Sequence, residues 1–161
     1  MERRRQFITA LATGFAIGPL AGCSSSRSGE DTTSQYPEYT DVPESVEEYL
    51  SDTSNYDGTG IDARDAEEVS VTVGARGNGS FWAFGPPVVA ISQGTTVVWE
   101  WNGKGSGHNV VSKDDRDPLD SGRAVTSSDK TYEYTFEEPG TYLYVCIPHR
   151  VSGMKGAVIV E

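Results

Sequence analysis

The sequence predicts an all-β fold, an antiparallel Greek-key β-sandwich preceded by one short helix. Three observations carry this. From Val69 onward, apolar residues alternate with polar ones at the period of two that a half-buried strand requires. Clusters of glycine, proline and asparagine punctuate those runs at short intervals, as in a sandwich built from many short strands. Ahead of them, the segment Pro43–Leu50 spaces Val46, Tyr49 and Leu50 as one helical face does, with proline and acids at its start.

Taken in order, residues 1–22 read as an export signal rather than as fold. Arg3, Arg4 and Arg5 make a positive start, and Arg4-Arg5-Gln6-Phe7-Ile8 resembles a twin-arginine signal. Residues 8–20 are mostly apolar, interrupted by Gly14, Gly18 and Pro19, and are too few to span a bilayer. They close on Leu20-Ala21-Gly22-Cys23, which resembles a lipoprotein processing box that would make Cys23 the acylated N-terminus. The plainer alternative is an incidental cysteine beside a simple cleavage site. Residues 23–42 then read as a lipidated cysteine and a flexible acidic tether, poor in aliphatics and spanning about 25 Å as coil.

Residues 43–68 read as the short helix and a turn-rich lead-in, with Asp57-Gly58 and Thr59-Gly60, lying against the domain rather than inside it. Residues 69–161 hold the strands. Val69, Val71 and Val73 share one face, as do Val97, Trp99 and Trp101, and Tyr132, Tyr134 and Phe136. Tyr142–Cys146 and Ala157–Val160 complete the set, with turns at Asn78-Gly79, Ser92-Gln93-Gly94, Asn102-Gly103 and Glu138-Pro139-Gly140.

At 161 residues the chain suits one domain with attachments. Its 24 acidic against 13 basic residues, net −11, exclude a nucleic-acid-binding face, which has to be basic. The acidity supports solubility and resembles that of proteins from salt-loving microbes, where ions screen surface charge.

Within this frame Cys146, His149 and Met154 stand as Cys-x2-His-x4-Met, with His108 well upstream. The chain has only two histidines and two cysteines. With Cys23 acylated, Cys146 has no disulfide partner, and metal ligation accounts for an unpaired thiol in an exported protein. One thiolate, two imidazoles and a thioether are the donors of a blue-copper centre, a single copper cycling between Cu(II) and Cu(I). Rival readings are a core cysteine with a gap-filling methionine, exposed histidines, and a zinc site of one cysteine and two histidines. No Cys-x2-Cys unit accompanies the motif, and the thioether favours copper over zinc.

Four stretches carry a family likeness: Phe81-Trp-Ala-Phe-Gly-Pro-Pro87, Gly94-Thr-Thr-Val-Val-Trp-Glu-Trp101, Gly107-His-Asn-Val-Val111, and residues 142–160. They resemble the cupredoxins of the plastocyanin–halocyanin group. The resemblance implies copper held by His108, Cys146, His149 and Met154. It also implies a monomeric one-electron carrier, not an enzyme, serving membrane redox proteins from the outer face of the cell membrane through lipidated Cys23. Asn109 falls where the family has an asparagine that hydrogen-bonds across the ligand loops, and Gly107 where plant plastocyanins carry proline. By the same resemblance Phe84 and Pro86 would join Pro148 and Val151 in a small apolar patch around His149, where electrons enter and leave. A copper enzyme with a second centre would need further histidines. A copper-delivery protein, the main alternative, would need several exposed Met or His ligands, and only Met154 remains after the leader.

Overall fold

The computed structural model describes residues 35–161; the export signal, Cys23 and residues 24–34 lie outside the described residues. Ten strands and one α-helix follow in the order β1 (Glu38–Tyr39), α1 (Glu44–Tyr49), β2 (Gly60–Asp62), β3 (Glu68–Gly77), β4 (Ser80–Gly85), β5 (Val88–Ile91), β6 (Thr96–Trp101), β7 (Val111–Ser112), β8 (Thr131–Thr135), β9 (Gly140–Val145) and β10 (Lys155–Val160). They build a two-sheet sandwich, ordered β1-β2-β5-β10-β9-β7 in one sheet and β4-β3-β6-β8 in the other. The sandwich and the preceding helix match the expected class. The pairing is mixed rather than wholly antiparallel: β5 runs parallel to both β2 and β10, and β3 parallel to β6. Alternation tells which side chains face inward but not the direction of the neighbouring strand, so the parallel pairs left no mark in the pattern.

The faces named by alternation do meet. Val69, Val71 and Val73 of β3 and Val97, Trp99 and Trp101 of β6 are buried in one core with Phe84, Phe136, Tyr144 and Met154. Tyr144 lies edge-on to both Phe84 and Trp99, with centroids 4.8 and 5.4 Å apart. Two strands depart from alternation because they are covered on both sides. Val89, Ile91, Val158 and Val160 face that core. Val88, Ala90, Ala157 and Ile159 face a second cluster with Tyr39, Val46 and Leu50. Runs such as Val-Val-Ala-Ile and Ala-Val-Ile-Val are what a strand buried on both faces needs.

That second cluster corrects two expectations. The tether was expected to run to residue 42, yet Glu38–Tyr39 pairs with Gly60–Ile61 and Tyr39 is buried, so the chain is docked from there. The lead-in was expected to lie outside the domain, yet Ile61 and Ala63 belong to the main core and β2 extends the sheet. The physical reasons are two: β5 and β10 present an apolar outer face that Tyr39, Val46 and Leu50 cover, and the main core takes in Ile61 and Ala63.

Candidate metal centre

Cys146 follows the end of β9 in an extended conformation, and a 3-10 turn, Ile147–Ser152, carries the chain back into β10. Pro148 sits in the first turn, where its fixed φ suits the helix and its missing N–H costs nothing. The loop closes on itself through the backbone. Cys146 N–H donates to Met154 O at 3.0 Å, His149 N–H to Cys146 O at 3.2 Å and Met154 N–H to His149 O at 3.2 Å. Gly153 turns the chain at φ +91°, and a Cβ there would collide with the Asp52 carbonyl oxygen. A side chain at position 153 is thus excluded twice, by backbone conformation and by space.

His108 comes from the segment linking β6 to β7, outside any named strand. A pair of backbone bonds with Val125, each 3.0 Å, holds it there, and Trp101 Nε1–H donates to its carbonyl at 3.1 Å. Its Nε2 lies 2.7 Å from the Lys104 carbonyl. A carbonyl only accepts, so Nε2 carries the proton and Nδ1 keeps its lone pair.

Nδ1 of His108 lies 3.7 Å and Nδ1 of His149 3.4 Å from Cys146 Sγ. All three ligand atoms fall within 4.8 Å of one another, and the three residues are buried. A sulfur about 2.3 Å and a nitrogen about 2.0 Å from one ion in a tetrahedral array stand about 3.5 Å apart, so the spacing fits a shared transition metal. Met154 is fully buried in the same core and bonded through its backbone to Cys146 and His149.

The electrostatics fit a cation as well. Burial disfavours imidazolium and lowers the pKa of His108 against the pull of the Lys104 and Phe81 carbonyls. Burial also lowers that of His149, helped by neighbouring His108. Burial pushes the Cys146 thiol up, partly offset by the backbone N–H groups of Asn109 and His149. The metal-free site therefore offers two neutral imidazoles and a thiol that gives up its proton when a cation binds.

Asn109 spans the two ligand segments: its Oδ1 accepts from Ile147 N–H at 2.9 Å and its Nδ2 donates to Gly122 O at 3.1 Å. The expected apolar patch needs correction. Pro148 and Val151 are exposed, Val151 at 89%, but Phe84 is wholly buried and Pro86 is buried too. Phe84 packs against Tyr144 in the core, which no surface can use. Ile147, 44% exposed, takes their place, and it and Val151 are the large apolar side chains left exposed among the described residues.

Trp82 was missed by the sequence reading. Its ring stacks on that of His149, centroids 5.1 Å apart and planes at 15°, and its Nε1–H donates to Gly105 O at 2.9 Å. Its only sequence signal is an aromatic spaced two residues from the core residue Phe84 in Phe-Trp-Ala-Phe. The backbone partner of His108 had none.

Residues 69–161 match the model of a family described as copper binding proteins, plastocyanin/azurin family. Halocyanin of Natronomonas pharaonis is 40% identical over 161 residues, covering 98% of this chain and 97% of that protein. The major chloroplastic plastocyanin isoform of Arabidopsis thaliana is 36% identical over 108 residues, 62% of this chain and 63% of that one. Among solved structures, the oxidised plastocyanin of Dryopteris crassirhizoma aligns with 58% of this chain and 100% of its own, at 26% identity and a TM-score of 0.46.

Proposed function

Because the chain belongs to the plastocyanin/azurin family of copper-binding proteins, we propose that it is a one-electron carrier whose copper is held by His108, Cys146, His149 and Met154. The observation that carries this reading is the buried convergence of one thiol and two Nδ1 atoms within 4.8 Å. Copper bound there supplies the Cu(II)/Cu(I) couple and takes the soft sulfur and imidazole donors readily.

The chain's own residues keep the donors in place. The Lys104 carbonyl fixes the His108 ring, Asn109 ties one ligand segment to the other, and Trp82 lies flat against His149. Cys146 and Met154 are 0% exposed and His108 1%, so water has little access. A site braced this way need not rearrange when its charge changes by one, which suits fast exchange. Both histidines of the chain are used, leaving none for a second copper centre.

His149, 9% exposed, is the donor nearest solvent. Ile147, Pro148 and Val151 surround it in sequence and form the face where a membrane redox protein would make a brief, small-area contact. Once the export signal is removed, lipid on Cys23 would hold the monomer to the outer face of the cell membrane, two chains being needed for stable attachment. Among the described residues no helix is long and apolar enough to cross a membrane.

Copper titration of the purified protein tests the core of this reading. One equivalent should produce an intense visible thiolate-to-copper absorption that reductant bleaches, and Cys146→Ser should abolish it. A variant that stays blue would refute the ligand assignment.

A further inference from the structure

A second hydrogen-bonded cluster adjoins the ligand loop and joins residues 52–54, which precede the matched region 69–161, to residues within it. The Gly153 carbonyl, in the peptide that leads into Met154, accepts three bonds: from Thr53 Oγ1–H at 2.9 Å, from Asn78 Nδ2–H at 3.0 Å and from Lys155 N–H at 2.9 Å. Thr53 is 4% exposed, so its hydroxyl has little water to bond instead. Asn78 sits at φ +56° in the β3–β4 turn and is the hub. Its Nδ2 also donates to the Trp82 carbonyl at 2.7 Å, and its Oδ1 accepts from Ser54 N–H at 2.8 Å, while its own N–H donates to Ser54 Oγ. On the far side of Gly153, Lys155 Nζ reaches Asp52 Oδ1 at 2.6 Å. Three parts thus converge: the 52–55 segment, the strand that carries Trp82, and the peptide that carries Met154.

We propose that Thr53 and Asn78 form a clamp that positions Met154 and the Trp82–His149 stack, so that the segment ahead of the copper-binding region sets the reduction potential of the site. The clamp holds no metal donor; Thr53 and Asn78 are positioning residues that act through the Gly153 and Trp82 carbonyls. Without the Thr53 hydroxyl, that carbonyl keeps Asn78 Nδ2–H and Lys155 N–H but loses its bond to the earlier segment, and the peptide before Met154 gains freedom to rotate. A methionine less firmly held would be a weaker donor to copper, which would disfavour Cu(II) more than Cu(I) and raise the potential.

This inference rests on Met154 being a copper donor, so the test has one arm with metal and one without. Thr53→Val keeps the shape and removes the hydroxyl; Thr53→Ser keeps the hydroxyl. In copper-loaded protein, Thr53→Val should raise the potential measured by voltammetry, in the same direction as Met154→Leu and by less, with a changed ratio of visible bands. Thr53→Ser should restore the native value. In metal-free protein, amide exchange at Gly153 and Met154 should quicken in Thr53→Val relative to Val158 in β10. Asn78→Asp, which keeps the acceptor for Ser54 and loses the Nδ2 donors, should shift both readouts the same way. A lowered melting temperature with unchanged potential and unchanged loop exchange would overturn the clamp. Quickened exchange with a potential unmoved even in Met154→Leu would leave the clamp standing and refute Met154 as a donor.

Discussion

The segment 35–68 and the region 69–161 differ in what their residues do. The later region supplies every candidate metal donor, and the decisive group lies within nine residues of chain, Cys146 to Met154, closed by its own backbone bonds. The earlier segment supplies no donor. It contributes Tyr39, Val46 and Leu50 to the outer face of β5 and β10, and Thr53 to the Gly153 carbonyl. The chemistry is local and the support is not. A metal loop this short can state its ligands in a motif, but the face that holds its flanking strand straight is covered by residues about a hundred positions away.

Breaking the support should hurt stability most while sparing the chemistry. Leu50, 1% exposed in the second cluster, contacts no donor. Leu50→Ala should cost about 2–5 kcal/mol of unfolding free energy, from lost transfer energy and the cavity left behind. Protein that remains folded should still turn blue with copper. Denaturant titration with and without copper would check this, and a loss of colour in folded protein would show the two regions to be less separable than their contacts imply.

Acid should resolve the two regions by pH. The folded pKa values of His108 and His149 lie below the ordinary 6.5 because burial disfavours their charge. The unfolded chain takes up those protons first, so stability present above pH 6.5 falls as the pH drops toward the folded values. The bonds that Tyr39 and Arg64 of the earlier segment make to Asp62 and Glu161 respond later. Hydrogen bonds from Arg64 lower Asp62 from 3.8, and those from Tyr39 and Arg64 lower Glu161 from 4.5, so what they contribute is lost only below those values. That second loss should be small, because these groups are exposed and their pairing is screened. Denaturation midpoints of metal-free protein should decline in these two windows, and a midpoint flat from pH 7.5 to 5.5 would contradict the first.

The smallest effect on the folded state is expected at the surface. Val151 is 89% exposed. Val151→Asp should leave colour, potential and stability near native while slowing electron exchange with a membrane donor, and removing the distant acids Glu67 and Glu68 should change that rate little in concentrated salt. Exchange at the native rate in the Val151 variant would move the contact face elsewhere.

The sequence by itself determined the inward faces of β3, β6 and β8, the short helix, and the Cys146, His149 and Met154 spacing. Each rests on a period or separation of a few residues, and local geometry converts these directly into position. It did not reveal β5, which is buried on both faces and shows no alternation, nor β4, whose Phe-Trp-Ala-Phe run does not alternate either. The family resemblance placed Phe84 and Pro86 on the surface, but both are buried, Phe84 against Tyr144. Tertiary structure alone decided that residues 38–63 belong to the sandwich, that three strand pairs run parallel, and that Trp82 lies on His149. It also decided that the carbonyl of Lys104 selects the tautomer of His108. The physical reason is the same throughout: hydrogen-bond partners and covering residues are chosen across the chain by closure of the core, and a linear pattern records which atoms need a partner but not which atom answers.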